Sequence, residues 1–440
     1  MSSLGTCDRK KNVLKWKKDM KKRREKLDMI RFVHTADLHL DRPFEGLSDL
    51  PDTLHERVKE STFTAFTRLI ERTLSEKVDF LIIAGDIFDD SHRSLLAQRR
   101  FIQGMRQLED AHIPVYAVFG NHDHLDDPWN RLELPENVHV FPAAQTMIPF
   151  EKADGQRVHL YGFSYERRHI AEDMAAKYVR AGTADFHIGI LHGSLTTGGT
   201  KDHYAPFSIR ELADKQFDYW ALGHIHKREQ PAPQLPIWYP GNTQGLSVRE
   251  TGEKGASLVE LDKHGAHVSF FPTADILWEE KTIRFREKVT ADSLGAALDA
   301  EKEAARTGGH GVFLRLHLIF SETDENREAI DSLLREFLPA LRDGEEHQSD
   351  FVWLIDTDVK VTPSWSREQL LKSPHVVGDL MRFIEHGEGW EEALAPLYRH
   401  HLGRRYLALP TGSEEKKIKE EAEQLLMDAL VTDEHPGVGK

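Results

Sequence analysis

Two periods of apolar residues alternate through the N-terminal two thirds of the chain. Helical spacing is found at Phe63, Phe66, Ile70 and Leu74, and again at Phe101, Met105 and Leu108. Short apolar runs typical of buried strands flank these segments, at residues 30–33, 80–84, 115–119, 187–191 and 219–222. Strands that alternate with amphipathic helices indicate helices packed on a sheet. The pattern therefore predicts an α/β fold.

The pattern changes along the C-terminal third. We predict a first domain over residues 30–275, a smaller α+β domain over 278–360 and a helical segment over 361–440. The supporting runs are strand-like at 256–261, 267–271, 312–320 and 351–357, and helical at 291–306, 330–341 and 413–430. The last run begins at Ser413 with early glutamates, which is typical of a capped amphipathic helix.

Length and composition narrow the class of protein. A chain of 440 residues is long enough for two or three domains. No apolar run is long enough to cross a bilayer and no apolar signal core begins the chain, so we expect a cytoplasmic protein. The single cysteine, Cys7, cannot form an intramolecular disulfide, and it excludes metal sites built from thiolates, whereas the 25 histidines leave imidazole sites possible.

Charge is distributed unevenly along the chain. Residues 1–28 hold 11 Lys or Arg against 4 Asp or Glu, a net +7, so the remaining residues carry −22 of the total of −15. This extension, through residue 29, is expected to be disordered. It is either a basic tail for nucleic acid or a mis-called translation start, since Arg23-Arg24-Glu25 can be encoded as a ribosome-binding sequence before Met29. A body this acidic needs a local basic path, bound cations or a partner subunit to bind DNA.

Five short polar motifs follow the five predicted strands. They are Asp37-Leu38-His39, Gly85-Asp86, Gly120-Asn121-His122-Asp123, Leu191-His192-Gly193 and Gly223-His224-Ile225-His226. Each motif alone is common as a turn or a strand end. Ligands of α/β sheets bind where the carboxyl ends of strands converge, so the five together predict one site.

The residue types in these motifs suit two divalent cations. Asp86 is the natural bridge between two ions, because it is anionic and stands alone on its loop. Alternation on extended backbone would aim both side chains of Asp37-x-His39, and of His224-x-His226, to one side. Carboxylates, imidazoles and an amide without thiolate favour Mn²⁺ or Fe²⁺, with Zn²⁺ an alternative. The two ions would carry a charge of +4, and the carboxylates of Asp37 and Asp86 would cancel half of it. The residual charge of +2 favours the binding of a phosphate diester.

His122 is the candidate catalytic residue. It stands beside Asn121, a candidate ligand, and in-line attack on phosphorus expels an alkoxide that needs a proton. A general acid at this position is worth about 10² to 10⁴ in rate.

The order of these motifs resembles the calcineurin-like metallophosphoesterase superfamily over residues 30–275, and so implies a layered β-sandwich flanked by helices. The strings His34-Thr-Ala-Asp-Leu-His-Leu-Asp41, Gly85-Asp-Ile-Phe-Asp89 and Tyr219-Trp-Ala-Leu-Gly-His-Ile-His-Lys227 are similar to SbcD-type DNA repair nucleases. The resemblance is strongest to their bacterial YhaO branch, to which Tyr204-Ala-Pro-Phe-Ser208 and Tyr239-Pro-Gly-Asn242 are also similar. The resemblance implies one ion on Asp37, His39, Asp86 and His226, and another on Asp86, Asn121, His192 and His224. His122 matches the family's catalytic histidine. Asp89 stands where some relatives have a second histidine, and His92 lies nearby out of register.

The same resemblance implies a DNA exonuclease of repair or recombination. Residues 278–360 would then be a cap that orients DNA, residues 361–440 would dock on a coiled-coil, SMC-like ATPase, and subunits would pair as a homodimer. Two alternatives remain open: a phosphodiesterase for nucleotides or other small diesters, and a non-catalytic scaffold for the ATPase. A phosphoprotein substrate is disfavoured, since Asp89-Asp90-Ser91 replaces the Asp-Arg-Gly of protein phosphatases.

Overall fold

The computed structural model describes most of the chain from residue 29 onward. The described residues are 29–47, 50–89, 94–126, 131–196, 204–285, 289–306, 308–320, 327–361, 367–386, 390–400 and 412–431. The predicted basic extension and His92 lie outside these residues.

The first sheet has six strands in the order β11-β10-β1-β2-β3-β4. Strands β1 to β4 run parallel, and β10 and β11 add antiparallel strands beyond β1. The bounds are β1 Ile30–Thr35, β2 Phe80–Ala84, β3 Val115–Val118, β4 Val138–Val140, β10 Gly255–Asp262 and β11 Gly265–Pro272.

The second sheet has five strands in the order β5-β6-β7-β8-β9, of which β6 to β9 run parallel. The bounds are β5 Thr146–Glu151, β6 Arg157–Gly162, β7 Phe186–His192, β8 Tyr219–Gly223 and β9 Ile237–Trp238. Two helices, α1 Asp52–Glu76 and α2 Leu95–Asp110, and a short α3 Ile209–Asp214 complete this part. The predicted α/β sandwich is confirmed.

Strand β2 shows why the chain forms these layers. Its side chains alternate between two faces: Leu81 and Ile83 pack with α1 and α2, while Phe80 and Ile82 pack against the second sheet. All four are fully buried, so both faces of the strand are covered. The far face of the second sheet buries Trp220 in a third cluster. The buried strands thus present only their ends to solvent, and the site must form there.

The C-terminal third contains a three-stranded sheet in the order β12-β13-β14 and further helices. The bounds are β12 Ile276–Phe285, α4 Ala291–Ala305, β13 Gly311–Phe320, α5 Arg327–Arg342, β14 Val352–Val361, α6 Arg367–Lys372, α7 Val376–His386, α8 Trp390–Arg399 and α9 Ser413–Val431.

By its contacts the chain divides into two compact units. Of the described residues, the first unit comprises those up to 281 with 299–315 and 338–356, and the second comprises those in 282–298, in 316–337 and from 357 onward. Within the second unit, Arg367 pairs with Glu423 at 2.8 Å. The domain boundaries at residues 275 and 360 stay predictions. Among the described residues, no helix is both long and apolar enough to span a membrane.

Candidate metal centre at the strand ends

All seven predicted ligand residues meet in one cluster. They follow or end the five strands that the apolar runs predicted: Asp37 and His39 after β1, Asp86 after β2, Asn121 after β3, His192 at the end of β7, and His224 and His226 after β8. Five of them are at most 2% exposed. The two sheets therefore contribute ligands from opposite sides of the sandwich core.

We call Asp37, His39 and His226 the first half-site. Their candidate ligand atoms lie within 4.8 Å of one another. The Nε2 atoms of His39 and His226 are 3.0 Å apart. The other ring nitrogen of His226, Nδ1, lies 2.7 Å from Glu250 Oε1. A proton between these two atoms leaves the Nε2 lone pair of His226 aimed at the cluster.

We call Asp86, Asn121, His192 and His224 the second half-site. The Asn121 Oδ1 atom lies 3.0 Å from His192 Nε2 and 3.1 Å from His224 Nδ1. His192 Nδ1 is 2.8 Å from the carbonyl oxygen of Ala84, so this nitrogen donates, and Nε2 is the ring atom that faces Asn121 and Asp86. The backbone carbonyl thus orients the ring so that Nε2 is the atom available to a metal ion.

Asp86 lies between the half-sites. Its Oδ2 atom is 3.8 Å from His39 Nε2 and 3.4 Å from His192 Nε2, and its Oδ1 atom accepts a hydrogen bond of 3.0 Å from the backbone N–H of His122. Although burial opposes it, attraction to His192 holds the pKa of Asp86 well below its usual range. The same pair raises the pKa of His192 to about 9 against the effect of burial. Asp86 is therefore anionic at neutral pH, as a bridge between cations must be.

Burial shifts Asp37 and His39 toward their neutral forms. It raises the pKa of Asp37 to about 6 and lowers the pKa of His39 to about 4. Bound cations would reverse the shift at Asp37, because they favour the carboxylate, and they also favour the neutral imidazole. The low pKa of His39 already keeps its ring free to coordinate at neutral pH.

The backbone at the site is left-handed at four of the seven ligand positions. The φ angles are 52° at Asp37, 41° at His39, 52° at Asp86 and 97° at His224. Such angles cost about 1–3 kcal/mol each in non-glycine residues and cluster at functional sites. The expectation that extended backbone aligns Asp37 with His39, and His224 with His226, is wrong, because Asp37, His39 and His224 are left-handed. Asp37 and His39 lie in the same half-site, whereas His224 and His226 lie in different half-sites.

His122, the predicted catalytic residue, lies beside the cluster with its side chain 19% exposed. Its ring centroid is 5.1 Å from that of His39. Asp89 Oδ2 lies 3.7 Å from His122 Nδ1, 3.6 Å from His39 Nδ1 and 3.3 Å from Arg42. The aspartate that replaces a second histidine thus faces both imidazoles, and the three residues form a further metal-competent group.

Comparison with known proteins assigns the family. A family model described as calcineurin-like phosphoesterase matches residues 30–228. An uncharacterized metallophosphoesterase, YhaO of Bacillus subtilis, is 38% identical over 404 residues, which cover 91% of this chain and 97% of its own. The chain belongs to the calcineurin-like metallophosphoesterases.

More distant relatives are named as DNA repair proteins. The DNA double-strand break repair protein Mre11 of Methanopyrus kandleri is 26% identical to this metallophosphoesterase over 352 residues, 70% of this chain and 76% of its own. A solved dimetal phosphatase from Danio rerio covers 56% of this chain and 99% of its own, with 12% identity and a TM-score of 0.32. The predicted resemblance to the superfamily and to the YhaO branch is confirmed.

Two residues of the metallophosphoesterase site were missed from the sequence. Glu250 holds His226 and also accepts 2.8 Å hydrogen bonds from Asn242 Nδ2 and the Leu246 N–H. His226 lowers the pKa of Glu250 to about 2 against the effect of burial. No strand end marks Glu250, and only the nearby Pro240-Gly241-Asn242 turn hinted at this loop.

Asp123 is the second missed residue, although it stood in a quoted motif. Its two oxygens accept hydrogen bonds of 2.7 Å from the N–H groups of Gly120 and Ile87, so it ties the Asn121 loop to the Asp86 loop. Burial, with repulsion from Asp86, raises its pKa to about 7. The sequence feature that could have indicated its role is the position of an acidic residue directly after Asn121-His122.

The arrangement fits a pair of divalent cations. Two imidazole nitrogens 3.0 Å apart in the first half-site repel each other through their lone pairs unless a proton or a cation is shared. Carboxylate, amide and imidazole donors without sulfur suit Mn²⁺, Fe²⁺ or Zn²⁺. The seven residues therefore offer a ligand set for each ion, with Asp86 between them.

Proposed function

We propose that this metallophosphoesterase is a two-metal phosphodiesterase that degrades DNA from its ends. The observation that carries the proposal is the buried carboxylate of Asp86 between two sets of imidazoles, 3.8 Å from His39 and 3.4 Å from His192. DNA is favoured as substrate because the similarity to a DNA break repair protein extends over 70% of the chain.

In this proposal each residue has a separate task. Asp37, His39, Asp86 and His226 hold one cation, and Asp86, Asn121, His192 and His224 hold the other. When bound, the ions lower the pKa of water and neutralise the phosphate charge. Glu250 and the Ala84 carbonyl orient His226 and His192, since outer hydrogen bonds set the ring position and tautomer of a ligand.

His122 donates the proton that the leaving oxygen needs. Its backbone N–H is held by Asp86 at 3.0 Å, while its ring stays partly exposed, so the side chain can reach a bound diester. The carboxylate of Asp89 lies 3.7 Å from Nδ1 of His122 and orients the imidazole. A general acid must lie within reach of the proton acceptor, and the position beside both half-sites meets this need.

The biological setting of this proposal rests on the family. Repair or recombination of DNA, manganese as the working ion, a homodimer and a cytoplasmic location stay predictions. Docking of an SMC-like ATPase on the C-terminal helices is supported by apolar side chains that α9 leaves partly exposed, Ile418, Leu426 and Leu430.

The test compares substrates with one preparation of the full chain. We expect Mn²⁺ to support release of nucleotides from end-labelled duplex or single-stranded DNA, and chelation to abolish it. Bis-p-nitrophenyl phosphate reports the same centre without DNA. Hydrolysis of this small diester and of cyclic nucleotides, with intact DNA ends, would contradict the nuclease and favour a small phosphodiester substrate. Absence of any hydrolysis with two ions bound would favour a scaffold.

A further inference from the structure

One aromatic side chain outside the ligand set lies directly against it. The ring centroid of Tyr204 is 4.8 Å from that of His224, with the planes tilted by 35°. The backbone of Tyr204 is fixed on both sides: its carbonyl accepts a 2.9 Å hydrogen bond from the Ser194 N–H, and it pairs with Ile170 in a β-bridge. Tyr204 is only half-buried, so part of its ring faces solvent.

A second ring contacts Tyr204, and two arginines precede that ring in the chain. The His169 ring centroid lies 5.4 Å from that of Tyr204, at 49°. His169, Arg167 and Arg168 are all exposed. We call these four residues the aromatic rim.

The aromatic rim is attached to the loop that carries the site. The N–H of Asp126 donates to the Glu166 carbonyl at 2.9 Å, and the N–H of Leu125 donates to the Tyr165 carbonyl at 2.8 Å. Residues 125 and 126 follow the Asn121 motif in the chain. The rim is thereby held in register with the second half-site.

Two aromatic rings in contact, preceded in the chain by two exposed arginines, have the composition of a single-strand nucleic-acid site. Bases stack on aromatic rings, and arginines contact the backbone phosphates. On a body with a net charge of −22 between residues 29 and 440, such a local basic path is required if DNA is to approach. A base inside a duplex is already stacked on both faces, so the rings favour an unpaired nucleotide.

We infer that the aromatic rim binds the unpaired nucleotide next to the scissile phosphate. Its base contacts the rings of Tyr204 and His169, and the following phosphate lies against Arg167 and Arg168. This inference rests on the proposed nuclease function, and it adds the form of the substrate: a DNA end enters as a single strand on the His224 side of the metal centre.

The contrasting role for Tyr204 is to pack against His224 and hold that ligand in place. The two roles differ in what they change. A ring that only positions His224 affects every substrate alike, whereas a ring that binds a base affects only substrates that have one beside the phosphate.

The experiment measures kcat and KM of the full chain with Mn²⁺ for a single-stranded oligonucleotide and for bis-p-nitrophenyl phosphate. Tyr204→Leu should raise the oligonucleotide KM about tenfold, the usual effect of losing one stacked base. Tyr204→Phe, which keeps the ring, should restore it. An equal loss on both substrates would overturn the inference in favour of positioning, and no loss on either would also overturn it.

The cationic part of the aromatic rim is tested by salt. Arg167→Ala with Arg168→Ala should raise the oligonucleotide KM and reduce the slope of log KM against log salt by about 1.4, since each single-strand phosphate contact contributes about 0.7. Arg210→Ala is the matched control, because Arg210 is 92% exposed on α3. Equal slopes for the double variant and the control would exclude the phosphate contacts.

The experiments distinguish failure of the nuclease proposal from failure of the inference about the aromatic rim. If the wild-type chain hydrolyses the small diester but leaves DNA intact, the nuclease proposal fails. The aromatic rim is then judged by fluorescence anisotropy of a labelled oligonucleotide, where an affinity unchanged by Tyr204→Leu overturns it and a tenfold loss supports it.

Discussion

The two half-sites use the same kinds of ligand but are supported differently. In the first, the carboxylate of Glu250 lies 2.7 Å from Nδ1 of His226. In the second, the backbone carbonyl of Ala84 lies 2.8 Å from Nδ1 of His192. A carboxylate adds charge and makes the imidazole a stronger donor, while a carbonyl only fixes its orientation. The difference suggests that the first half-site binds its cation more tightly and depends on one removable side chain.

The largest effect is expected at Asp86, the one residue that both half-sites share. Asp86→Asn should lose both ions and lower phosphodiesterase turnover by at least about 10⁴, because each ion supplies several kcal/mol to the transition state. Metal analysis by mass spectrometry and diester hydrolysis measure this. Asp214→Asn, which is 74% exposed, is the control. Two retained ions in Asp86→Asn would refute the bridge.

His122 is expected to contribute to turnover but not to the binding of the ions. His122→Gln is expected to keep two ions and to lose about 10² to 10⁴ in turnover, since only proton donation is removed. Hydrolysis of bis-p-nitrophenyl phosphate and metal content are measured together, with His264→Gln in the exposed β10–β11 turn as the control. Unchanged hydrolysis would exclude His122 as the acid, and loss of an ion would show it to be a ligand.

Glu250 distinguishes the half-sites directly. Glu250→Gln keeps the shape but removes the charge behind His226, and should weaken one Mn²⁺ binding step about 10- to 100-fold while the other is unchanged. Titration calorimetry separates the two steps. Glu253→Gln, at an exposed position in the same loop, should change neither. Equal weakening of both steps would remove the proposed asymmetry.

His34 links β1 to β8, the strands that precede Asp37 and His224, and gives the smallest effect. It lies on β1, donates from Nε2 to the Leu222 carbonyl at 3.0 Å and accepts from the Tyr219 hydroxyl at 3.0 Å. Burial lowers its pKa from 6.5 to about 3. Below pH 6.5 the unfolded chain therefore binds a proton that the folded chain refuses, so stability falls as pH falls.

For His34 the expected loss between pH 6.5 and 5.5 is about 1 kcal/mol in the free energy of unfolding. Urea denaturation of the metal-free chain at both pH values measures it. His34→Gln, which cannot titrate, should reduce this loss by the same amount, whereas His264→Gln should leave it unchanged. An equal pH dependence in wild type and His34→Gln would contradict a neutral buried imidazole.

The site residues could be predicted from the sequence where they directly follow a buried strand. An apolar run such as residues 80–84 must be covered on both faces of its strand. The polar residues that follow such runs, for example Asp86, therefore lie together at the ends of the sheets. Glu250 could not be found this way. It reaches His226 through a loop whose course depends on tertiary hydrogen bonds to Asn242 and Leu246. The left-handed turns at Asp37 and His224 were also hidden, because neither residue type requires that conformation.

The geometry of this site depends on the absence of a side chain at Gly120. A methyl group on its Cα would meet Asp86 Oδ1, and would lie 2.7 Å from His192 Nε2, and both side chains are buried with no room to retreat. A single added carbon at this position would therefore displace the side chains of Asp86 and His192, two of the residues proposed to hold the ions. A substitution at this one position could in this way separate the proposed hydrolysis from any assembly role that the rest of the molecule performs.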